Sequence, residues 1–187
     1  MLAVGSAPCL FDDVQAALEL YPGASLMLIN GAWTAYRHAE HLLAGHTSKA
    51  GLFMSERLKR FPDAPAARVH ATLSYPAQRQ ENPLVTDWWG QDKVTGATSA
   101  GKAARIGLAL GYDRVILCGC PLDSNVGYWD GEANVTHDGC PRFNTPDPRR
   151  AVARYRDKMA FLAKQEPFKS QVFSMSGYSR SVLGGPP

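Results

Sequence analysis

The residues of this chain that could do chemistry gather at the ends of short apolar runs. Gly5-Ser6-Ala7-Pro8 closes the first run and leads into a helical pattern. A glycine there lets backbone approach a ligand closely, and the helix that follows would turn its positive end toward a phosphate; a plain strand-to-helix turn is the competing reading. Asn30 closes the second run, where its amide would read a base or a ribose hydroxyl, or simply make an Asn-Gly turn. Thr98-Ser99 stands just before a strong helix, so a hydroxyl caps the first turn while the free amides offer an anion site. Ser99 and Lys102 also have the Ser-x-x-Lys spacing of some acyl-transfer nucleophiles, without any accompanying signature.

Two further sets carry metal chemistry. Cys118, Cys120, His137 and Cys140 make a Cys-x-Cys plus His-x-x-Cys set, whose three thiolates and one imidazole suit tetrahedral zinc. The alternative is a set of buried apolar thiols, with Cys118 facing the core. Asp123 follows Gly119-Cys120-Pro121-Leu122 and, with Asp87, Asp130 or Asp138, would bind magnesium in a phosphoryl-transfer site, or else remain a solvated loop carboxylate. Trp88, Trp89 and Trp129 lie in loop-like stretches, where an indole stacks on a base or sugar ring or packs into a core. His38 and His41 with Glu40 read as a surface cluster on a polar helix without a role. Arg149, Arg150, Arg154, Arg156 and Lys158 read as a solvated basic helix face.

The elements that must position these groups alternate. Residues 2–5, 26–29 and 50–54 are short apolar runs that predict strands; 12–20 and 56–61 have helical spacing. Residues 68–73 alternate like a strand and 76–83 are polar and loop-like. From Thr98 an apolar face of Ala103, Ile106, Leu108 and Leu110 predicts a helix ending at Gly111, followed by a buried strand over 114–119. Residues 122–148 are rich in Gly, Pro, Asn and Asp and predict a long functional loop or lid. A helix over 147–164, with Asp147 as N-cap and Pro148 in the first turn, and a last strand over 171–175 complete the pattern. Helices alternating with wholly apolar strands predict a doubly wound, mostly parallel, three-layer α/β sheet of Rossmann-like type, folded as one domain. Ligands in such sheets bind beyond the carboxyl ends of the strands.

Composition narrows the function classes. The chain has 187 residues, 45% of them hydrophobic, which is enough for one substantial core. Its 20 basic and 17 acidic residues are spread along the chain, giving a formal charge of +3 and no basic run, which argues against nucleic acid as the partner. No apolar stretch reaches the roughly 18 residues a membrane helix needs, and no signal peptide is expected. The four cysteines are too few and too uneven for a disulfide scaffold, so a cytoplasmic location is expected.

Taken in order, the motifs resemble the bacterial sialyltransferases of glycosyltransferase family 42 and the related motility-accessory-factor and pterin-diphosphokinase-like domains. Gly5-Ser6-Ala7-Pro8-Cys9-Leu10 is similar to that group's first-strand Gly-Asn-Gly-Pro-Ser-Leu loop. Thr98-Ser99, followed by Ile106-Gly107-Leu108-Ala109-Leu110-Gly111-Tyr112, is similar to its Thr-Ser-Gly stretch leading into Ala-Leu-Gly-Tyr. The strand 115–119 and the tail Phe173-Ser174-Met175-Ser176-Gly177-Tyr178-Ser179 match in order and spacing.

The resemblance implies that Ser6, Asn30, Ser55, Thr98 and Ser99 line the site for the nucleotide half of a sugar donor, with Gly119 nearby. It implies metal-independent, inverting transfer of a sialic-acid-like sugar from a CMP-sugar-like donor to a glycan or small hydroxyl acceptor, with no cofactor. The family uses a His base and Tyr hydroxyls near the leaving phosphate; here His137 is the only His in the long loop and Tyr128 is the nearest match. An imidazole with an ordinary pKa near 6.5 suits a base at neutrality, and zinc at His137 would exclude that role. Ser6, Ala7 and Ala100 stand where the family has Asn, Gly and Gly; Gly96 and Asp123 stand where it has Arg and Tyr. At this length the resemblance is to a compact, phage-like version, expected to be without the family's C-terminal membrane-associating extension. A magnesium-dependent phosphotransferase and a non-catalytic nucleotide-binding module are the alternatives, and self-association is left open.

Overall fold

The computed structural model describes residues 1–45, 47–73, 82–90, 98–123 and 148–187. Its strands are β1 (Leu2–Val4), β2 (Leu26–Ile29), β3 (His41–Ala44), β4 (Arg68–Thr72), β5 (Asp87–Trp89), β6 (Val115–Cys118) and β7 (Val172–Ser174). They form one sheet in the order β5-β4-β3-β2-β1-β6-β7, with every adjacent pair parallel. The α-helices among the described residues are α1 (Leu10–Leu20), α2 (Ala50–Arg60), α3 (Ser99–Ala109), α4 (Pro148–Leu162), α5 (Phe168–Gln171) and α6 (Gly177–Leu183). The chain therefore has the expected Rossmann-like α/β fold. Its order reverses at β1, which has β2 on one side and β6 on the other, so the topological switch point lies between β1 and β6.

The strands are apolar throughout because both faces of the sheet are covered. Side chains alternate across a strand with a period of two. Ala3, Met27, Leu43, Leu117 and Val172 thus enter the core under α3, α4 and α6, whereas Leu2, Val4, Leu28, Leu42 and Ile116 enter the core under α1 and α2. Gly107 lets α3 settle onto the sheet: a Cβ there would lie 2.3 Å from Met1 Cε and 2.9 Å from Val115 Cγ2. Gly111, at φ +92°, ends α3 where the sequence places a helix stop. Among the described residues no helix is long and apolar enough to cross a membrane.

Three expectations are corrected. His41 does not lie on a polar surface helix but opens the buried strand β3, because Leu42-Leu43-Ala44 fill the gap between β2 and β4 and polar neighbours had hidden so short a run. Residues 50–54 are not a strand but the first half of α2; Ala50, Phe53 and Arg57 fall on one buried helical stripe. Asp87, Trp88 and Trp89 are not in a loop but form the edge strand β5, paired with β4. The expected N-cap Asp147 lies outside the described residues.

Candidate functional site

The carboxyl edge of the sheet is built around Asn30. It follows β2 with φ +51°, a left-handed conformation that Asn tolerates better than most residues. Its Oδ1 accepts a hydrogen bond from the Gly45 amide just beyond β3 (2.7 Å), and its Nδ2 donates to Ser99 Oγ at the start of α3 (3.3 Å). Gly45 is needed here, since a Cβ would stand 2.6 Å from Ser99 Oγ and 3.0 Å from Asn30 Oδ1. Thr98 is the N-cap of α3, its Oγ1 accepting from the Gly101 amide at 3.1 Å. Three sequence candidates, Asn30, Thr98 and Ser99, are therefore brought together. Ser99 Oγ accepts from Asn30 and retains its own proton to donate, beside helix amides that have no intrahelical partner.

One turn further along α3, Lys102 Nζ donates to Thr72 Oγ1 at the end of β4 (3.1 Å). Burial lowers the affinity of this ammonium for its proton, and Lys158 on α4 lowers it further. The chain thus aligns Asn30, Ser99, Lys102 and Thr72 along the ends of β2 to β4, all offering donors.

At the switch point the loops close on each other. The Gly5 amide donates to Cys118 O (2.8 Å) and the Ala7 amide to Gly119 O (3.1 Å), which extends the β1–β6 ladder past both strands. A Cβ on Gly5 would meet Cys120 Sγ at 2.5 Å and Gly119 O at 2.6 Å. Gly5 accordingly serves the approach of β6, and the Ala7 amide is engaged, while half-buried Ser6 and exposed Pro8 stand at the rim. Gly119, at φ +61°, donates its amide to Asp13 Oδ2 (2.8 Å), which also accepts from Ser176 Oγ (2.6 Å).

Asp13 escaped sequence reasoning, although the stripe Leu10, Asp13, Val14, Ala17 on α1 puts a carboxylate among apolar core positions. Ser55 lies exposed in the second turn of α2 and makes no hydrogen bond to the Asn30 group among the described residues.

Asp87, Asp123, Cys118 and Cys120 hold structure. Asp123 Oδ1 accepts from the Tyr178 amide (3.2 Å) and from Arg156 Nη2 (3.3 Å), and the Arg156 guanidinium sits 4.8 Å from the Tyr178 ring centroid. Arg156 thereby ties α4 to α6 rather than facing solvent alone. Asp87 pairs with Arg68, whose guanidinium holds the Asp87 carboxyl below the usual carboxylate range. Cys118 packs in the core on the α1 side of the sheet and Cys120 in the core on the α3 side. Burial pushes the Cys118 thiol up and the Cys120 thiol up to about 12, so both stay protonated at neutral pH. Among the described residues no group of three His, Cys, Asp or Glu side chains is placed to hold a metal ion. Tyr128, Trp129, Asp130, His137, Asp138 and Cys140, with the rest of 124–147, lie outside the described residues, as does Gly96.

Comparison of the chain with models of known families, with curated proteins and with solved structures finds no match.

Proposed function

We propose that this protein binds a nucleotide or nucleotide sugar at the carboxyl edge of its sheet and transfers the sugar to a hydroxyl acceptor, in the manner of the family 42 glycosyltransferases it resembles. The observation that supports this most is the junction of Asn30, Gly45 and Ser99, in which one amide, one hydroxyl and a helix amino end converge beside a topological switch point. An amide and a hydroxyl match a base or ribose, and the helix end matches a phosphate.

In the transfer, the acceptor oxygen forms a bond to the anomeric carbon as the carbon–oxygen bond to the donor phosphate breaks on the opposite face. The acceptor proton passes to His137, and the electron pair leaves with the nucleotide phosphate, which Tyr128 stabilises by a hydrogen bond. A single displacement of this kind inverts the anomeric centre and needs no metal. The magnesium-dependent phosphotransferase has less support, because Asp87 and Asp123 each face an arginine. A non-catalytic nucleotide-binding module would share the site without the transfer.

A thermal-shift panel of nucleotides and nucleotide sugars, with and without magnesium, followed by a transfer assay on His137→Ala, tests the reading. Stabilisation by a cytidine nucleotide or its sugar conjugate without metal, and transfer lost in His137→Ala, is the expected result. Stabilisation that requires magnesium and a nucleoside triphosphate, or full turnover by His137→Ala, would overturn it.

A further inference from the structure

Among the described residues, the seam between α3 and α4 carries cations that no acid answers. Ser99, Lys102 and Arg105 follow at three-residue spacing along one face of α3. Among the described residues Lys102 finds only the Thr72 hydroxyl, at 3.1 Å, and Lys158 faces it from α4 closely enough to disfavour its charge. Arg105 Nη2 reaches Gln165 Oε1 at 3.4 Å, but Arg105 Nε is buried with no hydrogen-bond partner among the described residues. Among the described residues none of these three cations takes part in an ion pair.

Like charges gathered in a half-buried seam, with an orphaned guanidinium N–H, are unfavourable unless an acceptor-rich anion joins them. Thr72 Oγ1 accepts from Lys102 and keeps its own proton, so each of these groups presents a donor. The helix amino end adds to the same field.

We propose that this seam is a binding site for a phosphoryl oxyanion, held by Lys102, Lys158 and the Thr72 hydroxyl, with Arg105 at its inner end. The phosphoryl group comes either free, as phosphate or pyrophosphate, or on a nucleotide. The proposal does not depend on sugar transfer, and it rests on the nucleotide reading only for which molecule carries the phosphoryl group.

The test is the affinity of the full chain for phosphate, pyrophosphate, cytidine monophosphate and cytidine at matched ionic strength, for the wild type, Lys102→Met and Lys158→Gln. The expected result is wild-type binding of at least one phosphoryl compound but not of cytidine alone, weakened about tenfold or more in each variant, the loss of one charge-assisted contact. Without anion, Lys102→Met is expected to melt no lower than the wild type, because a like-charge neighbour has gone; Lys158→Gln, on the facing helix, guards against a folding defect. Asn30→Ala separates the two readings: it is expected to weaken the nucleotide and spare pyrophosphate. No wild-type response to any phosphoryl compound, or a response undiminished in both lysine variants, would overturn the proposal.

Discussion

His41 and His70 join β3 to β4 through their rings, with His41 Nδ1 3.0 Å from His70 Nε2. Trp89 Nε1, which can only donate, fixes the direction of the chain by bonding His70 Nδ1 at 3.1 Å. His70 Nε2 must then carry the proton and donate to His41 Nδ1, and His41 Nε2 donates in turn to Tyr112 Oη at 2.9 Å. Four side chains thus link the edge strand β5 to the C-terminal end of α3, and the link requires both imidazoles to be neutral.

Neutrality gives a pH dependence with a definite sign. Burial above all pushes the His70 ring down to about 4; the nearby Asp87 carboxylate opposes this, and His41 and Arg68 add to it. Burial first, and then Arg68, also lower His41, against Glu40 and Asp87. Between pH 6.5 and about 4 the unfolded chain binds a proton that folded His70 refuses, so stability is full above 6.5 and falls as the pH drops. The His70 share is about 3 kcal/mol across that window. Urea unfolding at pH 7 and pH 5 should show a fall that is smaller in His70→Gln; equal slopes would contradict the chain.

Asp13 is expected to be a sensitive polar position of the core. Asp13→Ala removes the acceptor of the Gly119 amide and of Ser176 Oγ and leaves a buried N–H unpaired, a loss of about 2–4 kcal/mol. Asp13→Asn retains one acceptor oxygen and should lose less. Denaturant midpoints of the two variants would check this order, and an unaffected Asp13→Ala would refute it.

Two glycines at the same edge should behave differently. A Cβ on Gly5 is hemmed in by Gly119 O at 2.6 Å, backbone that cannot yield, so Gly5→Ala should cost several kcal/mol or prevent folding. The nearest atoms to a Cβ on Gly45 belong to the side chains of Ser99 and Asn30, which can rotate away. Gly45→Ala should therefore fold, with a loss of about 1–2 kcal/mol, and lose nucleotide affinity as the Asn30–Ser99 contact opens. Melting temperature and ligand titration on the two purified variants distinguish the effects.

Arg57 is a buried cation held, among the described residues, by carbonyls, donating to Trp33 O at 2.7 Å, Tyr36 O at 2.6 Å and Arg37 O at 2.7 Å. Arg57→Met would leave these carbonyls unpaired, and chemical denaturation should show a loss of about 2–4 kcal/mol. A variant as stable as the wild type would mean that water replaces the guanidinium.

The sheet was legible because parallel strands buried on both faces leave unbroken apolar runs, such as those ending at Val4, Ile29 and Cys118. β3 and β5 were not, because His41 and Asp87 carry polar side chains into a buried and a half-buried strand, where partners on a neighbouring strand satisfy them. At the site, Asn30, Thr98 and Ser99 were legible from strand ends and a helix cap. Of the partners that complete it, Gly45 and Thr72 are distant in sequence and meet the site only through strand order, whereas Lys102, one turn after Ser99 on the same helix, was visible only as a Ser-x-x-Lys spacing. Asp13 carried a signal in its spacing, a carboxylate on an apolar helical stripe, that composition alone obscures.

Calorimetric titration of cytidine nucleotides into the wild type, Asn30→Ala and Ser99→Ala, without metal, tests the nucleotide site most directly. Binding by the wild type that falls about tenfold or more in both variants, with the melting temperature of Ser99→Ala little changed, is the predicted result. A wild type that binds no nucleotide, or variants that bind as tightly as the wild type, would contradict a nucleotide site at the Asn30–Ser99 junction.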